Sequence, residues 1–308
     1  MNDYRENTLT KPLCGIVPPM VTPLTGRDTL DVAGLERLIE HILKGGVHGL
    51  FILGTTGEAP SLGYRLRMEL IERTCRQARG RVPVLVGVTD TAFVESVNMA
   101  KHAADCGAYA AVLAPPYYFP SGQPELAEYI EHLMAEMPLP VFLYNMPMMT
   151  KVVIEPETVR RLANQSRIIG VKDSSGDVSY FKAILEVAKS RPDWSVLVGP
   201  EELLAETVRL GGFGGVNGGA NVDPKLFVDL YEAARRGDNA RINELQKRVI
   251  DFGRIYHVGH HASSIIKGLK CSLSLLGICD DFMAEPFRRF FKQERVQVRK
   301  LLEEMRLL

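Results

Sequence analysis

From residue 15 to about residue 220, short apolar runs alternate with longer amphipathic ones, eight times in succession. The short runs fall at 15–21, 48–53, 82–88, 109–114, 140–144, 168–172, 195–198 and 214–216, are rich in β-branched residues, and are often introduced by Gly or Pro. Each is apolar nearly throughout rather than at every second position, the pattern of strands buried on both faces of a parallel sheet. Between them lie helical periodicities such as 32–43, where Leu35, Leu38, Ile39 and Ile42 form one stripe, and 94–105. Repeated β-α units either close into a barrel or open into a doubly wound sheet. No G-x-G-x-x-G follows any strand, so the positive sign of a dinucleotide-binding open sheet is missing. The expected class is α/β, a (β/α)8 TIM barrel.

The strand signals stop after Asn221-Val222-Asp223-Pro224, and helical patterns follow at 224–235, 239–254, 263–276 and 285–305. The chain thus divides into a TIM barrel at 1–236 and a C-terminal helical domain at 237–308. No low-complexity linker separates them, so the extension is expected to dock tightly rather than swing. A length of 308 residues suits this plan, since such barrels take about 250. Lys and Arg number 37, as do Asp and Glu, so no global field draws the chain to nucleic acid or an anionic membrane. Cys14, Cys75, Cys106, Cys271 and Cys279 are scattered without a C-x-x-C pair, which fits buried thiols in a reducing compartment. Residues 1–11 are polar and lack the apolar run of a signal peptide, and no stretch of about 18 apolar residues occurs. These features point to a cytoplasmic protein.

A barrel of this kind carries its chemistry at the C-terminal ends of its strands. The second strand ends in Gly54-Thr55-Thr56-Gly57-Glu58, where two hydroxyls between glycines offer donors to one small carboxylate. A loop that merely turns the chain would look similar. The fifth strand ends in Tyr144-Asn145-Met146-Pro147 and the sixth in Gly170-Val171-Lys172-Asp173. Strict alternation puts Ile168, Gly170 and Lys172 on one face, with Ile169 and Val171 on the other. An inward lysine is either paired or deprotonated for chemistry, and lowering its pKa by about 3 units costs about 4 kcal/mol, within reach of burial. The alternative is a rim lysine bridged to Asp173. Tyr144, one strand away, could pass protons to and from a carbinolamine, or could be a buried structural tyrosine. The fourth strand runs into Pro115-Pro116-Tyr117-Tyr118-Phe119-Pro120, an aromatic loop suited to catalysis, plugging or subunit contact.

Taken in order, Gly54-Thr55-Thr56-Gly57-Glu58, the Pro-Tyr-Tyr element ending at Tyr118, Tyr144-Asn145-x-Pro147 and Gly170-Val171-Lys172-Asp173 resemble the dihydrodipicolinate synthase and N-acetylneuraminate lyase family. The resemblance covers nearly the whole chain. It implies that Lys172 forms an imine with a 2-oxo acid such as pyruvate and that Thr55 and Thr56 hold its carboxylate. It further implies that Tyr144 shuttles protons with Thr55, and that Tyr118 extends the relay, in some relatives into the neighbouring subunit's site. The Val216 carbonyl would face the lysine nitrogen. No metal and no organic cofactor is implied, and a homotetramer built as a dimer of dimers is.

Two departures bear on the substrate. Where synthases of the lysine pathway usually carry an arginine before the threonine of this motif, the stretch Tyr144-Asn145-Met146-Pro147-Met148-Met149-Thr150 places Met149. A thioether cannot bind a carboxylate as a guanidinium does. The Asn-Pro-x-Pro-x-Lys stretch of that branch appears as Ala262-Ser263-Ser264-Ile265-Ile266-Lys267. The resemblance therefore points to a Schiff-base aldolase or lyase releasing pyruvate, of 2-keto-3-deoxy sugar acid aldolase type. The alternatives are a dehydratase of a 3-deoxy-2-oxo sugar acid, 4-hydroxy-tetrahydrodipicolinate synthase despite Met149, and a non-catalytic 2-oxo acid sensor. His257, His260 and His261 lack a ligand pattern for metal, the glycine-rich run 211–219 is assigned to substrate rather than phosphate, and the basic residues of the last helix read as a solvated or intersubunit face.

Overall fold

The computed structural model describes residues 12–308, and the polar stretch 1–11, with the expectation that it is no signal peptide, lies outside the described residues. Eight parallel strands form one sheet: β1 (Gly15–Ile16), β2 (Leu50–Ile52), β3 (Val84–Gly87), β4 (Ala110–Leu113), β5 (Val141–Asn145), β6 (Ile168–Asp173), β7 (Ser195–Val198) and β8 (Gly214–Gly215). They pair in chain order from β2 to β8, and β8 pairs with β1. A parallel bridge between Pro19 and Phe51 joins β1 to β2 and closes the ring. The Phe51 N–H donates to the Pro18 carbonyl at 3.0 Å and the Met20 N–H to the Phe51 carbonyl at 2.8 Å. The expected (β/α)8 barrel is the observed fold, and a closed sheet leaves no edge exposed.

Burial on both faces explains the unbroken apolar runs. Val17, Phe51, Leu85, Val112, Phe142 and Leu197 fill the lumen, whereas Ile16, Leu50, Val84, Leu143, Val171 and Val196 pack outward against the helices. The expected alternation fails at the start of β6. Val141 pairs with Ile168 but Phe142 pairs with Gly170, so a bulge places Ile169 in the lumen and turns Ile168 outward. Gly170 and Lys172 keep the phase expected of them. A Cβ on Gly170 would lie 2.1 Å from the Ser195 carbonyl oxygen and 2.8 Å from the Phe142 ring, so only glycine lets β6 pass β7 here.

A small antiparallel hairpin, Leu24–Gly26 with Thr29–Leu30, precedes the first helix and was not expected. The helix Val32–Lys44 follows, capped by Asp31, whose carboxylate accepts the Gly34 N–H. Helix Pro224–Arg236 is capped by Asp223 and ends at Gly237, where φ is 69°. Beyond it lie Asn239–Gly253, Ser264–Leu275 and Lys292–Glu304. The last was expected to start at 285. Instead Glu285 precedes a proline, which disfavours the helical region, and Arg289 ties the following segment to Asp280 and Asp281 while Phe290 is buried.

Candidate active site

β5 and β6 run in register at their C-terminal ends, with Tyr144 opposite Lys172 and Asn145 opposite Asp173. That register sends Tyr144 and Lys172 into the lumen and turns their neighbours away from it. The Lys172 Nζ lies 3.8 Å from the centroid of the Tyr144 ring and 4.8 Å from that of Phe51. Lys172 is 5% exposed and, among the described residues, forms no salt bridge. Asp173 is not its partner: it accepts from Asn145 Nδ2 at 2.8 Å and from the N–H and hydroxyl of Ser175. The rim reading of the lysine is thereby set aside. Burial pushes the Lys172 amine below the ordinary lysine range, and only Tyr144 pulls against it. Burial alone would raise the Tyr144 phenol. The Lys172 ammonium, helped by hydrogen bonds from Thr55 and Ser174, outweighs it and holds the phenol below its usual value. The two groups sit where one proton is readily passed between them.

Thr55 reaches the same point from β2. Its hydroxyl is 3.4 Å from the Tyr144 hydroxyl. The loop carrying Thr55 and Thr56 is wound tightly: the Gly57 N–H donates to Gly54, the Glu58 N–H to Thr55, and the Gly57 carbonyl accepts the Thr22 hydroxyl at 2.7 Å. Leu53 and Glu58, which flank it, both adopt left-handed backbone, with φ of 58° and 57°. Such strain in non-glycine residues persists only where the surroundings hold it in place.

Val216, buried on the lumen wall, donates its N–H to the Val198 carbonyl, and Asn217 beside it reaches the Gly199 carbonyl. Met149 lies on the short helix Pro147–Thr150 directly after β5 and is 41% exposed. Tyr118 stands beyond β4 and is 84% exposed. The structure therefore assembles Lys172, Tyr144 and Thr55, puts Thr56 and Val216 on the adjoining loops, and leaves Tyr118 and Met149 at the rim of the catalytic end. Two neighbours of the lysine and phenol went unforeseen, Phe51 beneath the lysine and Ser174 at the phenol, as did a buried carboxyl after β7, Glu201. Glu201 is buried, accepts from the Gly219 N–H and from the Tyr256 hydroxyl at 2.8 Å, and is raised by burial to about 7. Phe51 and Ser174 were within reach of strand phase and of adjacency to Lys172-Asp173. Glu201 depends on Tyr256, which the sequence places far away. Among the described residues, no three His, Cys, Asp or Glu are grouped to hold a metal ion, and no helix is long and apolar enough to cross a membrane.

A buried, carboxylate-free lysine beside a phenol and a hydroxyl, at the C-terminal end of a parallel barrel, defines an imine-forming class of site. Comparison with known proteins makes the class specific. The model of the dihydrodipicolinate synthetase family matches residues 12–305. The probable 2-dehydro-3-deoxy-D-pentonate aldolase YjhH of Escherichia coli is 37% identical over 259 residues, 83% of this chain and 86% of that one. The 4-hydroxy-tetrahydrodipicolinate synthase of Methanoculleus marisnigri is 32% identical over 292 residues, 94% of this chain and 98% of that one. A solved structure described as dihydrodipicolinate synthase from Bacteroides thetaiotaomicron is 56% identical, with a TM-score of 0.93 over 96% of this chain and 99% of that one. YagE of Escherichia coli, solved in complex with pyruvate, is 30% identical with a TM-score of 0.90 over 96% and 99%. The chain belongs to the dihydrodipicolinate synthetase family and is an enzyme of the lyase class.

Proposed function

We propose that this enzyme is a Schiff-base aldolase that cleaves a 2-keto-3-deoxy sugar acid to pyruvate and an aldehyde. The observation that carries the reading is the Lys172 amine, buried without a counter-charge and 3.8 Å from the Tyr144 ring centroid. Its free amine attacks the C2 carbonyl carbon, and the Tyr144 phenol delivers the proton with which the carbinolamine oxygen leaves as water. The protonated imine then accepts the electron pair of the C3–C4 bond. That bond breaks as the phenolate takes the C4 hydroxyl proton, releasing the aldehyde. Protonation of the enamine at C3 and attack of water on the imine free pyruvate and restore the amine. Thr55 and Thr56 hold the substrate carboxylate, the Val216 carbonyl faces the lysine nitrogen, and Thr55 links the phenol to the solvent side.

Tyr118 completes the relay from a neighbouring subunit in a homotetramer. Its exposure, shared with the adjacent Phe119, supports this, because so much apolar surface is better covered. The charge balance and scattered thiols support a cytoplasmic setting. A second reading, synthesis of 4-hydroxy-tetrahydrodipicolinate, is favoured by the 56% identity to the protein described as dihydrodipicolinate synthase. Met149 weighs against it, because no guanidinium stands there for the aspartate semialdehyde carboxylate. Steady-state assay of a panel of 3-deoxy-2-oxo sugar acids, with product analysis, is expected to yield pyruvate and aldehyde. Synthase turnover with a kcat/KM of order 10⁴ M⁻¹s⁻¹, an ordinary enzyme value, would replace the first reading by the second. An intact carbon chain after loss of water would make it a dehydratase.

A further inference from the structure

The loop that carries Thr55 and Thr56 ends at Glu58, whose side chain is fully buried and forms an ion pair with the equally buried Lys270 of helix Ser264–Leu275. The grip is threefold. Glu58 Oε2 accepts the Ala284 N–H at 2.8 Å, and the Lys270 Nζ donates to the Phe282 carbonyl at 2.7 Å. The partners of the Glu58 side chain therefore come from the C-terminal extension, while the barrel's own Thr22 holds the Gly57 carbonyl. Glu58 itself is held in left-handed backbone, with φ 57° and ψ 25°. A buried ion pair is weak evidence of stabilisation, since an apolar pair of equal volume is often as stable, so its location is the better guide to its role.

We infer that Glu58 and Lys270 are positioning residues through which the C-terminal helices set the affinity of the Thr55–Thr56 loop for the 2-oxo acid carboxylate. The inference rests on the assignment of those threonines to the substrate carboxylate. Two effects act together. The pair fixes the loop in a strained backbone that aims its hydroxyls and N–H groups, and small misplacements of such groups are costly. Lys270 also cancels the charge of a carboxylate standing two residues after Thr56, which would otherwise repel an incoming anion.

The test is borohydride trapping of the pyruvate imine as a function of pyruvate concentration, with melting temperature measured alongside. Glu58→Gln combined with Lys270→Met keeps an acceptor for the Ala284 N–H and the bulk of both side chains while removing the charges. Its melting temperature is expected to stay near that of the parent, and the pyruvate concentration for half-maximal trapping to rise at least about 10-fold. The maximal trapped fraction should hold. Glu58→Gln alone, in which Lys270 can shed its proton, is expected to give the same rise. Half-saturation unchanged in a folded variant would overturn the inference. So would loss of fold in both variants, because the pair would then hold the chain rather than the loop. A parent protein that traps no pyruvate would instead sink the imine reading itself, and the positioning role with it.

Discussion

Among the described residues, two lysines are buried, Lys172 and Lys270, and they are handled in opposite ways. Lys172, at the end of β6, faces the rings of Tyr144 and Phe51 and no carboxylate. Lys270, in the extension, is locked to Glu58 and to the Phe282 carbonyl. Burial lowers the pKa of both, yet Glu58 opposes it for Lys270 whereas only a phenol does so for Lys172. An amine without a counter-charge sheds its proton readily and becomes a nucleophile. An amine clamped by a carboxylate is held in place and becomes a fastener. Under the proposed mechanism, burial is common to both lysines and the missing carboxylate partner is what distinguishes Lys172.

Substitution at each lysine should separate the two roles. Lys172→Met is expected to lower turnover by about 10⁵-fold or more, the scale of losing a covalent nucleophile. It should leave the fold as stable as before or more so, because it deletes an uncompensated amine. Retained turnover would end the comparison. Tyr144→Phe keeps the ring over Lys172 and removes only the hydroxyl, so kcat should fall about 10²–10⁴-fold with the circular dichroism spectrum unchanged. A loss within about 3-fold would reassign the proton transfer to Ser174 or Thr55. Lys270→Met should do the reverse of Lys172→Met. It leaves the Glu58 carboxyl in the interior without its partner, a loss of about 3–5 kcal/mol in unfolding free energy by denaturant titration.

The pH dependence sharpens the contrast further. The folded-state pKa of Lys172 lies below the ordinary value of 10.5, so the unfolded chain binds more protons between the two values. Stability from this group therefore rises with pH across that window. Any advantage in melting temperature of Lys172→Met over the parent should shrink as pH approaches 10.5, and a constant difference would show that Lys172 is not depressed. The smallest expected effect is at Met149. Met149→Arg should improve the ratio of synthase to aldolase kcat/KM by about 10–100-fold, the worth of one charge-assisted hydrogen bond of about 1.5–3 kcal/mol.

The barrel was legible because burial on both faces writes itself as continuous apolar runs, and all eight strands lie where those runs fall. Lys172 and Tyr144 were legible because each ends such a run with a residue that has no place in an apolar lumen. What escaped depends on tertiary distance. The bulge at Ile169 is a register shift in the pairing of β6 with β5, which strict alternation along one strand cannot show. Lys270 occurs in a helix that reads as amphipathic, where a lysine is ordinarily a solvated residue, and its partner lies in the second loop of the barrel. The start of the last helix was displaced by Arg289 and Phe290, whose anchors are visible only in the fold.

The central claim is that the unpartnered lysine, and not the paired one, carries the covalent chemistry. Incubation with pyruvate and borohydride, followed by peptide mass spectrometry, addresses it directly. The account predicts one reduced pyruvate adduct per chain, located on Lys172, and its disappearance in Lys172→Met. No adduct, an adduct on Lys270, or labelling that persists undiminished in Lys172→Met would contradict it.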